Sequence, residues 1–278
     1  MARDQLTWID SPSHAEFRWS SGPISRFRVS DVEFRCGFGG SHDRVFWIRK
    51  DRVRIKEYLE IVERFDGDNV LELGIGSGGS VALTTLVALP RKLVAVDLGP
   101  DRVEALDELI DQRGLSERVR LHYATDQSDQ PQLASILDDE FGDEPVGLVI
   151  DDASHRLGET RTSFEALFPR LRPGGLFVIE DWNHQHLVSR DLAGALADPT
   201  PELKAQVLSR LAEGPPETPL SRLVIELILV QAESDDFVRE VRVNRRWALV
   251  YRGRGDLDQS GFRLSDLITN DFGLLPSQ

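Results

Sequence analysis

The fold is decided by one stretch of the sequence, Val70-Leu71-Glu72-Leu73-Gly74-Ile75-Gly76-Ser77-Gly78-Gly79-Ser80. Its first residues form a short apolar run typical of a buried strand, and the residues after the glycines have a helical pattern. Glycines between a strand and a helix permit a tight turn and let the backbone approach a ligand beside the helix N-terminus. The stretch therefore predicts a cofactor-binding turn.

Two cofactor patterns fit the glycines of this turn. Gly74, Gly76 and Gly79 fit GxGxxG, the dinucleotide-binding pattern. Glu72 with Gly74, Gly76 and Gly78 fits E/DxGxGxG, the pattern of methyltransferases. The glycines alone do not distinguish the two, and a turn without any ligand is the third interpretation.

Of two acidic residues near the turn, one favours a methyl donor. Asp97, which ends the next apolar run, would bind ribose hydroxyls under either pattern. Glu72 lies two residues before the first glycine, where a carboxylate would repel a pyrophosphate but suits the cationic sulfonium and ammonium groups of S-adenosylmethionine. The turn therefore predicts S-adenosylmethionine as the cofactor.

The rest of the chain predicts a parallel sheet. Five short apolar runs are Asn69–Leu73, Lys92–Val96, Val119–Tyr123, Val146–Ile150 and Leu176–Ile179. Helical patterns cover residues 54–65, 79–89, 101–113, 130–141 and 160–171. Short apolar strands that alternate with such helices predict a parallel sheet covered on both faces, and right-handed crossovers make it doubly wound.

The C-terminal part predicts two further strands. The runs Phe237–Val243 and Trp247–Arg252 are separated only by Asn244-Arg245-Arg246, a connection that permits only an antiparallel hairpin. The predicted fold class is therefore α/β, a Rossmann-like doubly wound seven-stranded sheet with a C-terminal antiparallel hairpin.

Composition narrows the class of protein. The 278 residues include 33 Lys and Arg against 47 Asp and Glu, and a net charge of −14 argues against nucleic acid as the main partner. The Arg-rich stretch 44–56 is interrupted by acidic residues, so we expect a solvated helix face there. The start of the chain lacks a signal peptide's apolar core, and no apolar run approaches the roughly 20 residues that span a bilayer. These features predict a cytoplasmic protein without a membrane partner.

Acidic pairs end two strands that should be neighbours. Asp151-Asp152 ends the fourth predicted strand and Glu180-Asp181 ends the fifth, so both pairs should meet at the edge of the sheet where ligands bind. Converging carboxylates repel one another unless a cation such as Mg²⁺ lies between them. His155 follows on the same loop and is a candidate general base. The alternative interpretation is a set of solvated loop and helix caps.

The sequence resembles a known family in five blocks, which cover about residues 50 to 182. The blocks are Val70–Ser80, Val94–Asp97, Asp126-Gln127-Ser128-Asp129, Ile150-Asp151-Asp152-Ala153-Ser154-His155 and Arg172–Asp181. They look like the conserved blocks of bacterial metal-dependent natural-product O-methyltransferases of the macrocin and mycinamicin type. Proteins related to cephalosporin hydroxylases share many of them.

The resemblance implies roles for individual residues. It assigns the metal to Asp152, Glu180 and Asp181 and the general base to His155, and leaves Asp151 to face the cofactor or support the loop. The order of the strands assigns the remaining cofactor contacts. Glu72, Gly74 and Gly76 would line the methionine portion, and Gly78 completes the glycine pattern. Asp97 would bind the ribose, and Asp126 with Gln127 would bind the adenine. For Asp126 a helix cap is an equally good interpretation.

The domain organisation is predicted from the residue pattern along the chain. Residues 1–50 are expected to form an N-terminal cap, 51–255 the class I methyltransferase domain, and 256–278 a C-terminal tail. Residues 183–218 are expected to be a lid or acceptor-binding insertion. Relatives assemble, so a homo-oligomer remains open.

The predicted activity is a Mg²⁺-assisted O-methylation of a hydroxyl on a small molecule, such as a sugar or another natural product. An NAD-dependent oxidoreductase and a non-catalytic S-adenosylmethionine-binding partner protein are the alternatives.

Overall fold

The computed structural model describes residues 6–9, 25–197, 218–259 and 261–269. Within them, a seven-stranded sheet forms the centre of the molecule. Its strands are β5 (Asn69–Leu73), β6 (Lys92–Val96), β7 (Val119–His122), β8 (Val146–Asp151), β9 (Leu171–Glu180), β10 (Val238–Val243) and β11 (Trp247–Arg252). The spatial order is β10-β11-β9-β8-β5-β6-β7, with β5 to β9 parallel. β11 pairs antiparallel with both β9 and β10, so the predicted fold class is confirmed.

Helices cover the sheet because its strands are apolar on both faces. They are α1 (Arg52–Val62), α2 (Gly79–Val87), α3 (Glu104–Gln112), α4 (Gln130–Phe141), α5 (Leu157–Leu167), α6 (His184–Ala197) and α7 (Ser221–Glu233). Every residue of β5 and β8 is buried, and alternate residues of these strands join two separate hydrophobic clusters. Among the described residues no helix is both long and apolar enough to cross a membrane.

The largest differences from the predicted boundaries lie at the junction of α5 and β9. α5 ends at Leu167 and β9 begins at Leu171, although the sequence predicted a helix to residue 171 and a strand from residue 176. The early part of β9 contains Pro173 and Gly174, and Gly174 has a φ of 76°. This irregular segment coincides with a shift of register against β8, and it breaks the apolar run by which the strand was recognised.

A second, smaller sheet precedes the main one. Its strands are β1 (Leu6–Trp8), β2 (Ser25–Val29), β3 (Val32–Cys36) and β4 (Val45–Ile48), in the order β1-β2-β3-β4. Its buried side chains share one hydrophobic cluster with α1, α2 and one face of the main sheet. The division at residue 50 therefore remains a proposal, as does the boundary at residue 255. Residues 1–5, 10–24, 198–217, 260 and 270–278 of the predicted cap, insertion and tail lie outside the described residues.

The small sheet meets the glycine-rich turn directly. Ser41 Oγ donates a hydrogen bond to the carbonyl of Ser77 at 2.5 Å, and Ser77 Oγ donates to the carbonyl of Gly39 at 2.8 Å. A Cβ added at Gly79 would overlap the backbone carbonyl of Trp47. The small sheet is therefore seated against the start of α2.

Candidate active site

The glycine-rich turn has the conformation that its sequence predicts. Gly74, Gly76 and Gly78 have φ values of 99°, 52° and 79°, in the region that favours glycine. A Cβ added at Gly74 would overlap the backbone carbonyl of Asp152, whereas one at Gly76 would meet nothing within 4 Å. Gly74 thus lets the turn approach the loop after β8, and Gly76 faces open space beside the N-terminus of α2.

Asp97 braces this turn from the end of β6. Its Oδ2 accepts hydrogen bonds from the backbone N–H of Ile75 at 2.7 Å and of Gly76 at 2.9 Å. Its Oδ1 accepts from Gly99 N at 2.7 Å. Asp97 therefore fixes the backbone of the turn, and its contact with a ribose stays a prediction.

Glu72 is fully buried, with none of its surface exposed. Neither of its carboxylate oxygens makes a hydrogen bond of normal geometry to the described residues. Burial raises the pKa of Glu72 to about 7, although Ser80, Lys50 and Tyr58 each lower it. A carboxyl group kept in this state is costly, and such costs are common where a function requires the group.

Gln127 and Asp151 form a buried hydrogen-bond network beneath the loop after β8. Gln127 Nε2 donates to Asp151 Oδ2 at 3.1 Å and to Ser163 Oγ at 3.2 Å, and Gln127 Oε1 accepts from Ser154 N at 2.9 Å. Burial raises the pKa of Asp151 to about 6. Asp151 thus supports the loop, one of the two roles expected of it. Because both ends of the Gln127 amide are used inside the protein, its adenine contact stays a prediction.

Asp126 lies in an exposed turn and not in the network. Its Oδ1 accepts hydrogen bonds from Ser128 N at 2.8 Å and from Ser128 Oγ at 2.7 Å. These bonds hold the pKa of Asp126 below its usual value. The cap of α4 is Asp129, whose side chain accepts from Gln132 N at 3.0 Å. Asp126 forms a local turn before that helix, and its adenine contact is likewise still a prediction.

His155 lies at the edge of the site in an unusual backbone conformation. Its φ is 55°, and Asp181 across the site has a φ of 48°. Left-handed backbone at a residue other than glycine is uncommon and costs ~1–2 kcal/mol. The Nε2 atom of His155 is 3.8 Å from Asp152 Oδ1, and its ring centroid is 5.5 Å from that of His184. The backbone thus turns the imidazole towards the acidic strand ends.

Two basic side chains lie between the three predicted metal ligands. Lys50 Nζ is 2.9 Å from Asp152 Oδ2 and 2.6 Å from Glu180 Oε2. Arg54 Nη2 is 2.9 Å from Asp181 Oδ1, and Arg54 Nη1 is 3.6 Å from Glu180 Oε1. The strand ends therefore meet as predicted, but in an alternating row of acids and bases.

The charges in this row shift the pKa values of its members. Burial alone would lower the pKa of Lys50, but the carboxylates of Asp152 and Glu180 outweigh burial and raise it. Burial alone would raise the pKa of Asp152, but Lys50 and His155 lower it. Glu180 is more deeply buried, and burial together with the Asp152 charge raises its pKa. The two carboxyl groups that contact Lys50 thus have pKa values shifted in opposite directions.

The donor chemistry of this site fits a hard cation, but the arrangement already contains one. Asp152, Glu180 and Asp181 are oxygen donors of the kind that Mg²⁺ prefers, and Asp152 and Asp181 are each about a quarter exposed. The ammonium group of Lys50 lies between two of them. In the described ranges no three His, Cys, Asp or Glu side chains come together in a way that could hold a metal ion as they stand.

Lys50 and Arg54 are the functional residues that sequence reasoning missed. The expectation of a solvated helix face over residues 44–56 was wrong, since Lys50 is only 1% exposed and the helix begins at Arg52. A local signal existed: Lys50 directly follows the apolar strand β4, and Asp51 caps α1 by accepting a hydrogen bond from Arg54 N. The side chain of Lys50, between this strand and this cap, reaches the ends of β8 and β9.

The fold and this site together define a class of protein. Five parallel strands closed by an antiparallel hairpin, with a glycine-rich turn after β5 and an acidic residue at the end of β6, form the class I fold of S-adenosylmethionine-dependent methyltransferases. Residues 71–182 match a family model described as a methyltransferase domain. The methyltransferase interpretation of the glycine pattern is confirmed over the dinucleotide one.

Individual relatives are O-methyltransferases of natural products. The chain is 41% identical over 96 residues to the 8-demethyl-8-alpha-L-rhamnosyl tetracenomycin-C 2'-O-methyltransferase of Streptomyces olivaceus. This match covers 34% of this chain and 24% of that protein. It is 37% identical over 119 residues to the L-olivosyl-oleandolide 3-O-methyltransferase of Streptomyces antibioticus. That match covers 40% of this chain and 27% of the relative. The family resemblance seen in the sequence is thereby confirmed.

A solved structure extends the similarity beyond the matched domain. The MycE methyltransferase from the mycinamycin biosynthetic pathway, in complex with Mg and SAH, is 28% identical with a TM-score of 0.50. The match covers 74% of this chain and 51% of that one. The chain thus spans about a quarter of the length of these curated relatives and about half of this structural neighbour.

Proposed function

We propose that the chain is an S-adenosylmethionine-dependent O-methyltransferase that methylates a hydroxyl group on a small molecule, such as a sugar of a natural product. One observation carries the proposal. The glycine-rich turn at Gly74 packs against the backbone of Asp152, so the predicted donor site and the predicted base lie at one edge of the sheet. The relatives named above act on sugar hydroxyls of natural products, which supports the choice of acceptor.

The residues of the chain would bind and align the two reactants. S-adenosylmethionine supplies the methyl group when bound. Its methionine and ribose portions would lie against Glu72, Gly74, Gly76, Gly78 and Asp97. Asp126 and Gln127 would lie near its adenine, and Asp151 would support the loop beneath it. The transfer is an in-line displacement, in which the carbon–sulfur bond breaks as the new carbon–oxygen bond forms. Alignment of this kind contributes on the order of 7 kcal/mol in favourable cases.

His155 would remove the proton of the acceptor hydroxyl. Its imidazole is partly exposed and lies 3.8 Å from Asp152, whose negative charge stabilises the imidazolium that forms. The carbonyl of His155 accepts a hydrogen bond from Gln185 Nε2 at 2.7 Å, which ties the loop to α6. The loop is thus fixed at His155, whose partly exposed ring would meet the acceptor.

The proposal includes a divalent ion, as in the structural neighbour. Asp152, Glu180 and Asp181 would hold Mg²⁺ or a similar cation, which would lower the pKa of a coordinated hydroxyl. The protein was expected to be cytoplasmic, and that location remains part of the proposal.

A methylation assay tests the proposed function. Purified protein is incubated with S-adenosylmethionine and a panel of sugars, glycosylated natural products and catechols, with and without chelator, and methylated product is measured by mass spectrometry. His155→Asn should lower turnover by roughly 10²–10⁴-fold and leave donor affinity, measured by calorimetry, unchanged. His186→Asn is the matched control, because the His186 ring bonds Ser221 Oγ at 2.7 Å and not Asp152. Donor binding without methylation of any acceptor would instead support a non-catalytic binding protein.

A further inference from the structure

Lys50 occupies a position that no part of the proposed reaction uses. It directly follows β4 of the small sheet, yet its side chain reaches the C-terminal ends of β8 and β9 in the main sheet. Its Nζ lies 2.9 Å from Asp152 and 2.6 Å from Glu180, so one ammonium group bridges both carboxylates. A bridging group with this geometry is a counter-ion for the pair.

The surroundings of Lys50 suit a permanent cation. The side chain is 1% exposed, and its Nζ also lies 5.2 Å from the ring centroid of Tyr58 and 5.8 Å from that of Trp247. Aromatic faces attract a desolvated cation, and a buried ammonium requires such partners. The two carboxyl groups within hydrogen-bond distance of Nζ complete its polar contacts.

A third acid lies near Lys50 and its two partners. Glu72 on β5 is fully buried, and its carboxylate oxygens make no hydrogen bond of normal geometry to the described residues. Its pKa is lowered by Lys50 and raised by Asp152, so it lies within the electrostatic range of both. Lys50 therefore faces acidic groups on β5 as well as at the ends of β8 and β9.

An ion held jointly by Asp152 and Glu180 would need the space that the ammonium fills. Mg²⁺ binds carboxylate oxygens at about 2.1 Å, and an ammonium 2.6–2.9 Å from the same oxygens excludes it by overlap and by like-charge repulsion. We propose that Lys50 is a built-in counter-ion that competes with a divalent cation for Asp152 and Glu180. Divalent binding then requires the ammonium to leave both carboxylates, which weakens the affinity for the metal.

This inference rests on the proposed function, in which a divalent ion binds at this site. It adds that Lys50 sets the affinity of the site for that ion. Arg54 remains on Asp181 and Glu180, so the site keeps one fixed cation while the other exchanges. With Lys50 in place the carboxylates are compensated and held in position before any ion arrives. The site is thus stable without metal and responds to the concentration of divalent ions.

Metal binding by the full chain, measured without acceptor or turnover, tests the proposal. Mn²⁺ is titrated into wild type and Lys50→Met and followed by electron paramagnetic resonance. Lys50→Met, which keeps the length of the side chain and removes its charge, should bind Mn²⁺ on the order of 10- to 100-fold more tightly, the range seen when a group beside metal ligands is changed. Lys50→Arg keeps the charge and should retain the wild-type affinity.

Lys92→Met is the matched control. Lys92 forms a comparable pair with Glu140, at 2.6 Å, beside the edge strand β7, and its removal should leave Mn²⁺ binding unchanged. Equal affinities of wild type and Lys50→Met, or no binding by either, would overturn the proposal. Calorimetric titration of S-adenosylmethionine in the same samples separates this failure from a failure of the proposed function.

Wild-type protein provides a second test if Lys50→Met does not fold. Crystals in MnCl2 should show an anomalous scatterer between Asp152 and Glu180, with Lys50 Nζ displaced from both. An ammonium that still bridges both carboxylates in saturating Mn²⁺ would contradict the competition.

Discussion

Glu72→Gln should make the protein more stable at pH 8 and leave its stability near pH 4 almost unchanged. Glu72 is fully buried without a hydrogen bond of normal geometry to the described residues, and burial raises its pKa from 4.5 to about 7. Between these two values the native state keeps a proton that the unfolded chain has released. The free energy of unfolding therefore falls as pH rises from about 4.5 to about 7.

The size of the effect follows from the same pKa values. At ~1.4 kcal/mol for each pKa unit, a carboxyl group raised from 4.5 to about 7 costs ~3 kcal/mol of stability once the pH exceeds both values. A glutamine at position 72 has almost the same shape as the protonated acid but does not titrate. The difference between variant and wild type should therefore be close to zero at pH 4 and rise to at most ~3 kcal/mol at pH 8.

Urea unfolding from pH 4 to pH 8.5 measures this difference, with tryptophan fluorescence as the signal because Trp247 is buried. Glu117→Gln, at an exposed position, is the control and should follow wild type at every pH. An advantage at pH 8 no larger than at pH 4, or a loss of stability at pH 8, would refute the reasoning. If Glu72 faces the ammonium of the methyl donor as proposed, the stabilised variant should also bind the donor more weakly.

Three further substitutions test how the site is built. Gly79→Ala should destabilise the protein by ~1–3 kcal/mol in thermal or urea unfolding, because the new methyl group would overlap the Trp47 carbonyl; an unchanged midpoint would contradict the close approach. Gln127→Leu should cost ~1–3 kcal/mol by leaving Asp151 without its amide partner, and calorimetry should show whether donor affinity falls with it. Asp97→Asn should weaken donor binding by about tenfold or more, since an amide cannot accept all the backbone hydrogen bonds that the carboxylate accepts; an unchanged dissociation constant would argue against this brace.

The sequence was sufficient to predict the sheet because its pattern is local. Each parallel strand is an apolar run, and the short connection Asn244-Arg245-Arg246 permits only the hairpin that β10 and β11 form. The order of the strands then places the acidic ends of β8 and β9 side by side. These inferences need only period, length and handedness.

The partners of the predicted site residues were not predictable in the same way. Lys50 meets Glu180 across 130 positions of the sequence, and Arg54 meets Asp181 across 127. Nothing in the local pattern of either basic residue names a carboxylate so distant. Gln127 illustrates the same limit, since its position after β7 suggested a ligand contact but its amide is used inside the protein.

The seam between Gly79 and Trp47 has a practical consequence for chimeric enzymes. A breakpoint placed just ahead of the glycine turn, at the start of the matched domain, would pair one parent's small sheet with another parent's turn. The small sheet of the first parent would then have to bring its backbone as close to the glycine of the turn as Trp47 is to Gly79. It would also have to supply a lysine that reaches the carboxylates at the ends of β8 and β9, as Lys50 does. Exchanges that keep residues 25 to 182 from a single parent would preserve this fit. They would also keep all the proposed donor-binding residues together.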